Sequence, residues 1–172
     1  MTARIREFLD FSAEATAFTR FELLGTGQAE AYYAATEKVV GPVLGELLDA
    51  YARLEPGHGM DGRKAALRRG IFGHEKLGAI ARKITKLWYI GIWYELPRAW
   101  TEAYGALPPN VDTMISGASY AEGLLWTAIG AHPPGAKPPG YGSWADPPAI
   151  PPFDTNGARE TAPAEVIRRW PT

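Results

Sequence analysis

Four Pro-Pro pairs between residues 133 and 152 constrain the fold more than any other feature of the chain. Each proline fixes its own φ and lacks an N–H, so this stretch cannot form a helix or a central strand. Trp126, Tyr141, Trp144 and Phe153 lie in or beside it, whereas flexible tails are low in aromatic residues. We therefore expect an extended segment that lies on a surface, which belongs either to this chain's own helices or to another protein.

Helical spacing of apolar residues dominates the chain before this segment. The helical stretches cover residues 4–19, 28–54, 63–72 and 75–95. Gly41-Pro42 interrupts the second stretch, so we expect a kink or a break there. Pro108-Pro109 closes the helical part, and we find no signal for a β-strand.

These patterns predict a mainly α-helical protein. A helical part of three to five helices is expected over residues 1–109, and a Pro/Gly/aromatic-rich extended segment over residues 110–172. The chain has 172 residues, which is enough for one domain with its own core. We therefore expect the extended segment to pack on the helices or on a partner, within one domain overall.

The composition excludes several classes of function. The chain has no cysteine, which removes disulfides, thiolate metal sites and cysteine nucleophiles. Its net charge is −1, so we expect no nucleic-acid partner. No apolar run reaches the roughly 18–20 residues that span a bilayer. The residues around Ile5 lack the apolar core of a secretory signal, so a cytoplasmic location is one expectation.

The spacing of polar residues predicts neither a metal site nor an active site. His58, His74 and His132 do not recur at the separations that metal-binding helices use. Glu95 stands among aromatic residues, where a buried glutamate satisfied by hydrogen bonds is the favoured interpretation. An independent small enzyme that uses Glu95 and His74 beside an aromatic pocket is the alternative.

The segment from Leu87 to Leu96 is apolar nearly all round, which indicates burial on every side. Its aromatic residues include Trp88, Tyr89 and Trp93, which are expected in this chain's core or under a partner. The chain contains six tryptophans and eight tyrosines, and these residue types dominate the centres of protein interfaces. The aromatic content therefore favours a large contact surface.

Four pieces of the sequence, taken in order, resemble a known family. They are Phe8-Leu-Asp-Phe-Ser-Ala-Glu-Ala-Thr-Ala-Phe18, Leu23-Leu-Gly-Thr-Gly27 with Tyr32-Tyr33, Lys86-Leu-Trp-Tyr-Ile-Gly91 and Gly140-Tyr-Gly-Ser-Trp-Ala145. Together they are similar to the small subunit of the bacterial membrane-bound, FAD-dependent sugar and polyol dehydrogenases. That family comprises the heterotrimeric sorbitol, fructose, gluconate and glucose dehydrogenases.

The resemblance implies a helical subunit that carries no cofactor and is not itself catalytic. Its partner would be a flavoprotein large subunit of the glucose-methanol-choline type, which holds FAD. A third subunit, a cytochrome c with haem c, would pass electrons to membrane ubiquinone. The small subunit would help the large one to fold and to be exported. The resemblance therefore implies that the complex lies at the periplasmic face of the inner membrane. This chain would associate with the membrane only through the complex.

Under this interpretation the aromatic and proline side chains form the partner interface. The first group that we expect there is Trp126, Pro133, Pro134, Pro138, Pro139, Tyr141 and Trp144. Trp88, Tyr89 and Trp93 form a second group. The alternative function is that of a helical adaptor, whose extended segment lies in the aromatic groove of an unrelated partner.

Overall fold

A computed structural model of the chain describes residues 1–55, 59–108, 110–133 and 135–136, with the backbone alone at Met60. The prediction of a mainly helical fold is confirmed. The helices are α1 (Ala3–Thr16), α2 (Arg20–Gly25), α3 (Ala29–Val40), α4 (Pro42–Ala52), α5 (Gly59–Leu67), α6 (Glu75–Ile90), α7 (Arg98–Tyr104), α8 (Gly117–Ala121) and α9 (Leu124–Ala128). These are more segments than the three to five expected, because several are too short to show a clear period.

Capping hydrogen bonds and the backbone preferences of Gly and Pro set the ends of the first helices. The Thr2 hydroxyl accepts a hydrogen bond from the Ile5 N–H and caps α1. Thr19 and Glu22 form a reciprocal capping box at the start of α2. The break expected at Gly41-Pro42 is confirmed, since α3 ends at Val40 and Pro42 is the first residue of α4.

The helix expected over residues 63–72 is longer and less regular than its pattern suggested. It begins at Gly59 as α5 and continues as a π-helical turn over Arg68–Phe72. Within that turn a Cβ on Gly70 would lie 2.4 Å from Leu54 Cδ2. The absence of a side chain at Gly70 therefore allows the wide turn to approach the end of α4 closely.

The prediction that a helix runs over residues 75–95 is wrong at its end. Helix α6 stops at Ile90, because Gly91 takes the left-handed conformation with φ 69°. The Gly91 carbonyl instead accepts from the Ser119 hydroxyl at 2.9 Å and from the Ile115 N–H at 3.2 Å. Tertiary contacts thus end a helix that the apolar sequence alone would extend.

Two short strands follow, and the expectation of no strand is wrong there. Strand β1 (Ile92–Trp93) pairs antiparallel with β2 (Thr113–Met114), with Ile92 opposite Met114 and Trp93 opposite Thr113. The backbone of Glu95 and of Leu96 is then held by the side chains of Asp112 and Asn110, respectively. These two hydrogen bonds hold the segment that precedes β2 against the segment that follows β1.

The first compact unit of the chain runs from Met1 to Leu125, beyond residue 109, where we expected the helical part to end. Its core lies between α1, α3, α4 and α6, and many of the largest buried side chains are aromatic. The core includes Phe8, Leu9, Phe11, Leu23, Tyr32, Leu44, Leu47, Leu48, Ile71, Ile80, Trp88 and Trp93. The second unit is Trp126–Thr172, and most of the expected extended segment lies outside the described residues.

Candidate functional site

The centre of the first unit is an aromatic cluster around Trp88. The Trp88 ring lies 4.9 Å from the Tyr32 ring, edge to face, and 6.2 Å from the Phe8 ring, stacked. The Phe8 ring in turn meets Tyr33 edge to face at 5.7 Å. Trp88 has no exposed surface, so the residue that we expected in core or interface lies in this chain's own core.

A buried polar contact joins this cluster to the segment after β2. The Tyr32 hydroxyl lies 3.4 Å from the Ser119 carbonyl and donates to it. Burial raises the pKa of Tyr32, so the phenol stays neutral. Ser119 itself closes a capping box with Ser116 at the start of α8. Tyr32 and Gly91 therefore both depend on the position of Ser119.

Tyr89 differs from its neighbour Trp88, because it is half-buried. Its hydroxyl donates to the Thr16 carbonyl at 2.9 Å, and its ring meets Phe18 edge to face at 6.0 Å. Burial raises the pKa of Tyr89 as well. The residue fastens the end of α1 to α6, and part of its surface stays accessible.

Trp93 borders an open groove between α3 and the two-stranded sheet, which we call the α3–sheet groove. Its volume is about 220 Å³, and it is lined by Ala35, Lys38, Val39, Trp93, Thr113 and Ile115. Trp93 is 1% exposed, and its Nε1–H has no hydrogen-bond partner among the described residues. The sequence could not indicate this site, because the groove requires the register that pairs Trp93 with Thr113.

The residues of the alternative enzyme are not brought together. His74 lies at the start of α6, where its Nδ1 accepts from the Leu77 N–H. Glu95 lies beyond the other end of that helix, whose 16 residues span roughly 24 Å. Glu95 is exposed, which corrects the expectation of a buried carboxylate. The Glu95 N–H donates to the Asp112 carboxylate, and the Glu95 carbonyl accepts from the Lys83 ammonium.

Of the first interface group, two members lie within the described residues. Trp126 belongs to α9 and is half-buried, and the buried Pro133 accepts from the Ala136 N–H at 3.2 Å in a turn. The other members lie outside the described residues, and their role stays a prediction. They are Pro134, Pro138, Pro139, Tyr141 and Trp144.

Sequence reasoning missed two exposed apolar surfaces. On α2, Phe21 is 84% exposed and Leu24 is also exposed, while Leu23 between them is buried. We call Phe21 and Leu24 the α2 patch. The second surface is the segment 107–114, in which Leu107, Val111 and Met114 are each about half exposed. The signal on α2 was available in the i, i+3 spacing of two large apolar residues, but six residues are too few for a convincing period.

A second groove, with basic walls, lies along α5 and the π-helical turn. Its volume is about 560 Å³, and Lys64, Arg68 and Arg69 line it together with Asp61 and Ala65. None of the three cations forms an ion pair with a described residue. They are all exposed, so they are ordinary solvated side chains unless an anion binds there.

The described part of the chain lacks two further features. No group of three or more His, Asp or Glu side chains there could hold a metal ion. No helix in the described ranges is long and apolar enough to cross a membrane. Comparisons of the chain with protein-family profiles, with curated proteins and with solved structures find no match.

Proposed function

We propose that this chain is the non-catalytic small subunit of an FAD-dependent sugar or polyol dehydrogenase. The observation that carries the proposal is the exposed apolar surface of the first unit, at the α2 patch and along the segment 107–114. Single exposed apolar residues are normal on proteins, but grouped ones mark interaction surfaces. A subunit that is always bound to its partner would cover such side chains.

The family resemblance adds a second line of support. Of its four pieces, the three within the described residues pack against one another. Phe8 from the first piece and Tyr32 from the second both contact Trp88 from the third, and Tyr89 donates to Thr16. The residues that carry the resemblance in these three pieces thus belong to one structural unit.

The proposed subunit would act through binding free energy. A partner that binds only the folded large subunit shifts the folding equilibrium of that subunit toward the native state. FAD would be held by the large subunit and haem c by a cytochrome subunit, so this chain needs no catalytic group of its own. Export and membrane association would follow from the complex, at the periplasmic face of the inner membrane.

Co-purification tests the proposal. The tagged chain is expressed together with a flavoprotein of the glucose-methanol-choline type from the same source genome and is purified through its tag. We expect a stoichiometric flavoprotein band, the visible absorbance of bound flavin and sugar-dependent reduction of an electron-accepting dye. Expression of the flavoprotein without this chain is the control, and its soluble yield should fall.

Two results would contradict the proposal. A chain that purifies alone as a folded monomer, with the flavoprotein equally soluble in its absence, would remove the subunit role. A stoichiometric partner without flavin would instead identify the chain as an adaptor for an unrelated protein. In the first case the exposed apolar surfaces would need another explanation, and in the second the unrelated protein would cover them.

A further inference from the structure

The α3–sheet groove has one wall from a helix and one wall from the two-stranded sheet. On α3, residues 35, 38 and 39 follow helical spacing and form one wall. On the other wall Trp93 lies opposite Thr113 across the two strands, and Ile115 lies two residues beyond Thr113. Three of the lining side chains are fully apolar, so the groove is a preformed apolar recess with polar groups at defined positions.

Two polar groups at this groove lack a partner within the described residues. Trp93 is buried, and its indole N–H donates to no atom there. The Trp93 Nε1 atom is itself buried, so an acceptor from outside the chain does not reach it, and Lys38 is the polar group that is open to an occupant. Lys38 is exposed at the same groove and forms no ion pair with a described residue. An occupant that carries a negative charge beside an apolar side chain would complement Lys38 and the apolar lining of the groove.

The size of the groove indicates what kind of occupant it takes. Its volume of about 220 Å³ is below the roughly 300–1,000 Å³ of usual small-molecule pockets. It is close to the size of one large side chain, and interface anchors typically fill such recesses. The surface also continues beyond the groove, since the N–H of the half-exposed Leu107 donates to the Val39 carbonyl at 2.7 Å.

We propose that the α3–sheet groove receives one large apolar side chain of the partner protein, with a carboxylate of that protein beside Lys38. The apolar side chain packs on Ala35, Val39 and Ile115, and the carboxylate pairs with the Lys38 ammonium. The inference rests on the proposed function for the identity of the partner, the flavoprotein large subunit. It adds which surface of this chain holds that subunit and which chemistry the subunit must present.

The test measures the affinity of purified full-length variants for the flavoprotein, by surface-based kinetics. Ala35→Trp fills the groove, and we expect binding to weaken by about 30-fold or more, mainly through faster dissociation. Lys38→Glu reverses the charge, and we expect roughly tenfold weaker binding with a reduced dependence on salt. Circular dichroism and thermal melting of each free variant show whether it is folded.

One matched control lies on α3 itself, and the other lies on α5. Ala34→Trp makes the same change at the neighbouring exposed position of α3, and Lys64→Glu makes the same charge change at the basic groove. Both should bind within about threefold of the unchanged chain. Because Lys38 is a surface residue, Lys38→Glu remains informative even if Ala35→Trp fails to fold.

The outcomes separate this inference from the proposed function. If the flavoprotein binds the unchanged chain, and Ala35→Trp and Lys38→Glu bind equally well, the groove is not the contact and the subunit role stands. If the unchanged chain binds no flavoprotein, both the subunit role and this inference are overturned. If hexanoate raises the melting temperature of the unchanged chain but not of Ala35→Trp, and the flavoprotein affinity of Ala35→Trp is unchanged, the groove is a small-molecule site and the inference is wrong.

Discussion

Trp88 and Trp93 are close in sequence and equally buried, but they lie in different surroundings. The rings of Phe8 and Tyr32 pack against Trp88, and the whole Trp88 side chain is buried in the core. Trp93 packs on the core with one part and borders the α3–sheet groove with another. Both indole N–H groups are buried and lack partners among the described residues, so the groove, and not the indole N–H, distinguishes Trp93 from Trp88. Burial alone therefore does not tell a core residue from one that lines a binding surface.

Replacement of each tryptophan by alanine tests this difference directly. Trp88→Ala removes a side chain packed on all sides, so we expect the free energy of unfolding to fall by about 3–5 kcal/mol. Trp93→Ala should cost less, because one side of its ring already faces a groove and leaves a smaller new cavity. Urea denaturation followed by far-UV circular dichroism measures both. An equal or larger loss for Trp93→Ala would mean that the groove is closed in solution.

The glycine that joins these two surroundings gives the next largest effect. Gly91 ends α6 with φ 69°, and a Cβ there would lie 2.3 Å from the Ser119 carbonyl oxygen. Gly91→Ala therefore combines left-handed strain with a backbone clash, and we expect a loss of about 2–5 kcal/mol in the free energy of unfolding. The loss should be accompanied by displacement of α8, visible as altered near-UV circular dichroism.

Gly105→Ala is the matched control for Gly91→Ala. Gly105 has φ 76°, but a Cβ there would meet no atom within 4 Å. Its replacement by alanine should therefore cost only the left-handed strain, about 1–2 kcal/mol. If the two variants lose the same stability, the close approach of Gly91 to Ser119 adds nothing, and Gly91 is required only for its left-handed conformation.

The contrast between these positions also explains what could be predicted from the sequence. Long helices and the break at Gly41-Pro42 were predictable, because apolar period and proline chemistry act locally. The end of α6 at Gly91 was not, since the flanking residues are apolar and the stop depends on Ser119, far along the chain. The α3–sheet groove depends likewise on strand register, and Phe21 lies on a helix too short to show a period.

The pH dependence of stability should report on the core and not on the groove. The Tyr51 hydroxyl donates to Glu14 Oε1 at 2.6 Å, and Arg63 lies over the ring. Burial, followed by the hydrogen bond to Glu14, raises the pKa of Tyr51 from 10.0 to about 12. The unfolded chain therefore loses this proton at lower pH than the folded chain. The stabilisation is complete below pH 10 and is lost as the pH rises toward 12.

Urea unfolding at pH values from about 9 to about 11 tests this expectation. Each ionisation that is delayed in the folded state lowers the free energy of unfolding by at most about 1.4 kcal/mol per pH unit. Tyr51→Phe should reduce that slope without abolishing it, because burial also raises the pKa values of Tyr32 and Tyr89. A slope that is unchanged in Tyr51→Phe would show that Tyr51 ionises equally easily in both states.

The smallest effect on stability is expected at the α2 patch. Phe21 is 84% exposed, so Phe21→Ser should change the free energy of unfolding by less than about 0.5 kcal/mol. Its neighbour Leu23 is buried on the same helix, and Leu23→Ser should cost several times more, because it places a hydroxyl in the core. If the subunit proposal holds, Phe21→Ser should also reduce flavoprotein binding and the self-association of the free chain. A loss of stability at Phe21 that equals the loss at Leu23 would mean that the folded chain covers Phe21, and that the α2 patch is core and not an open surface.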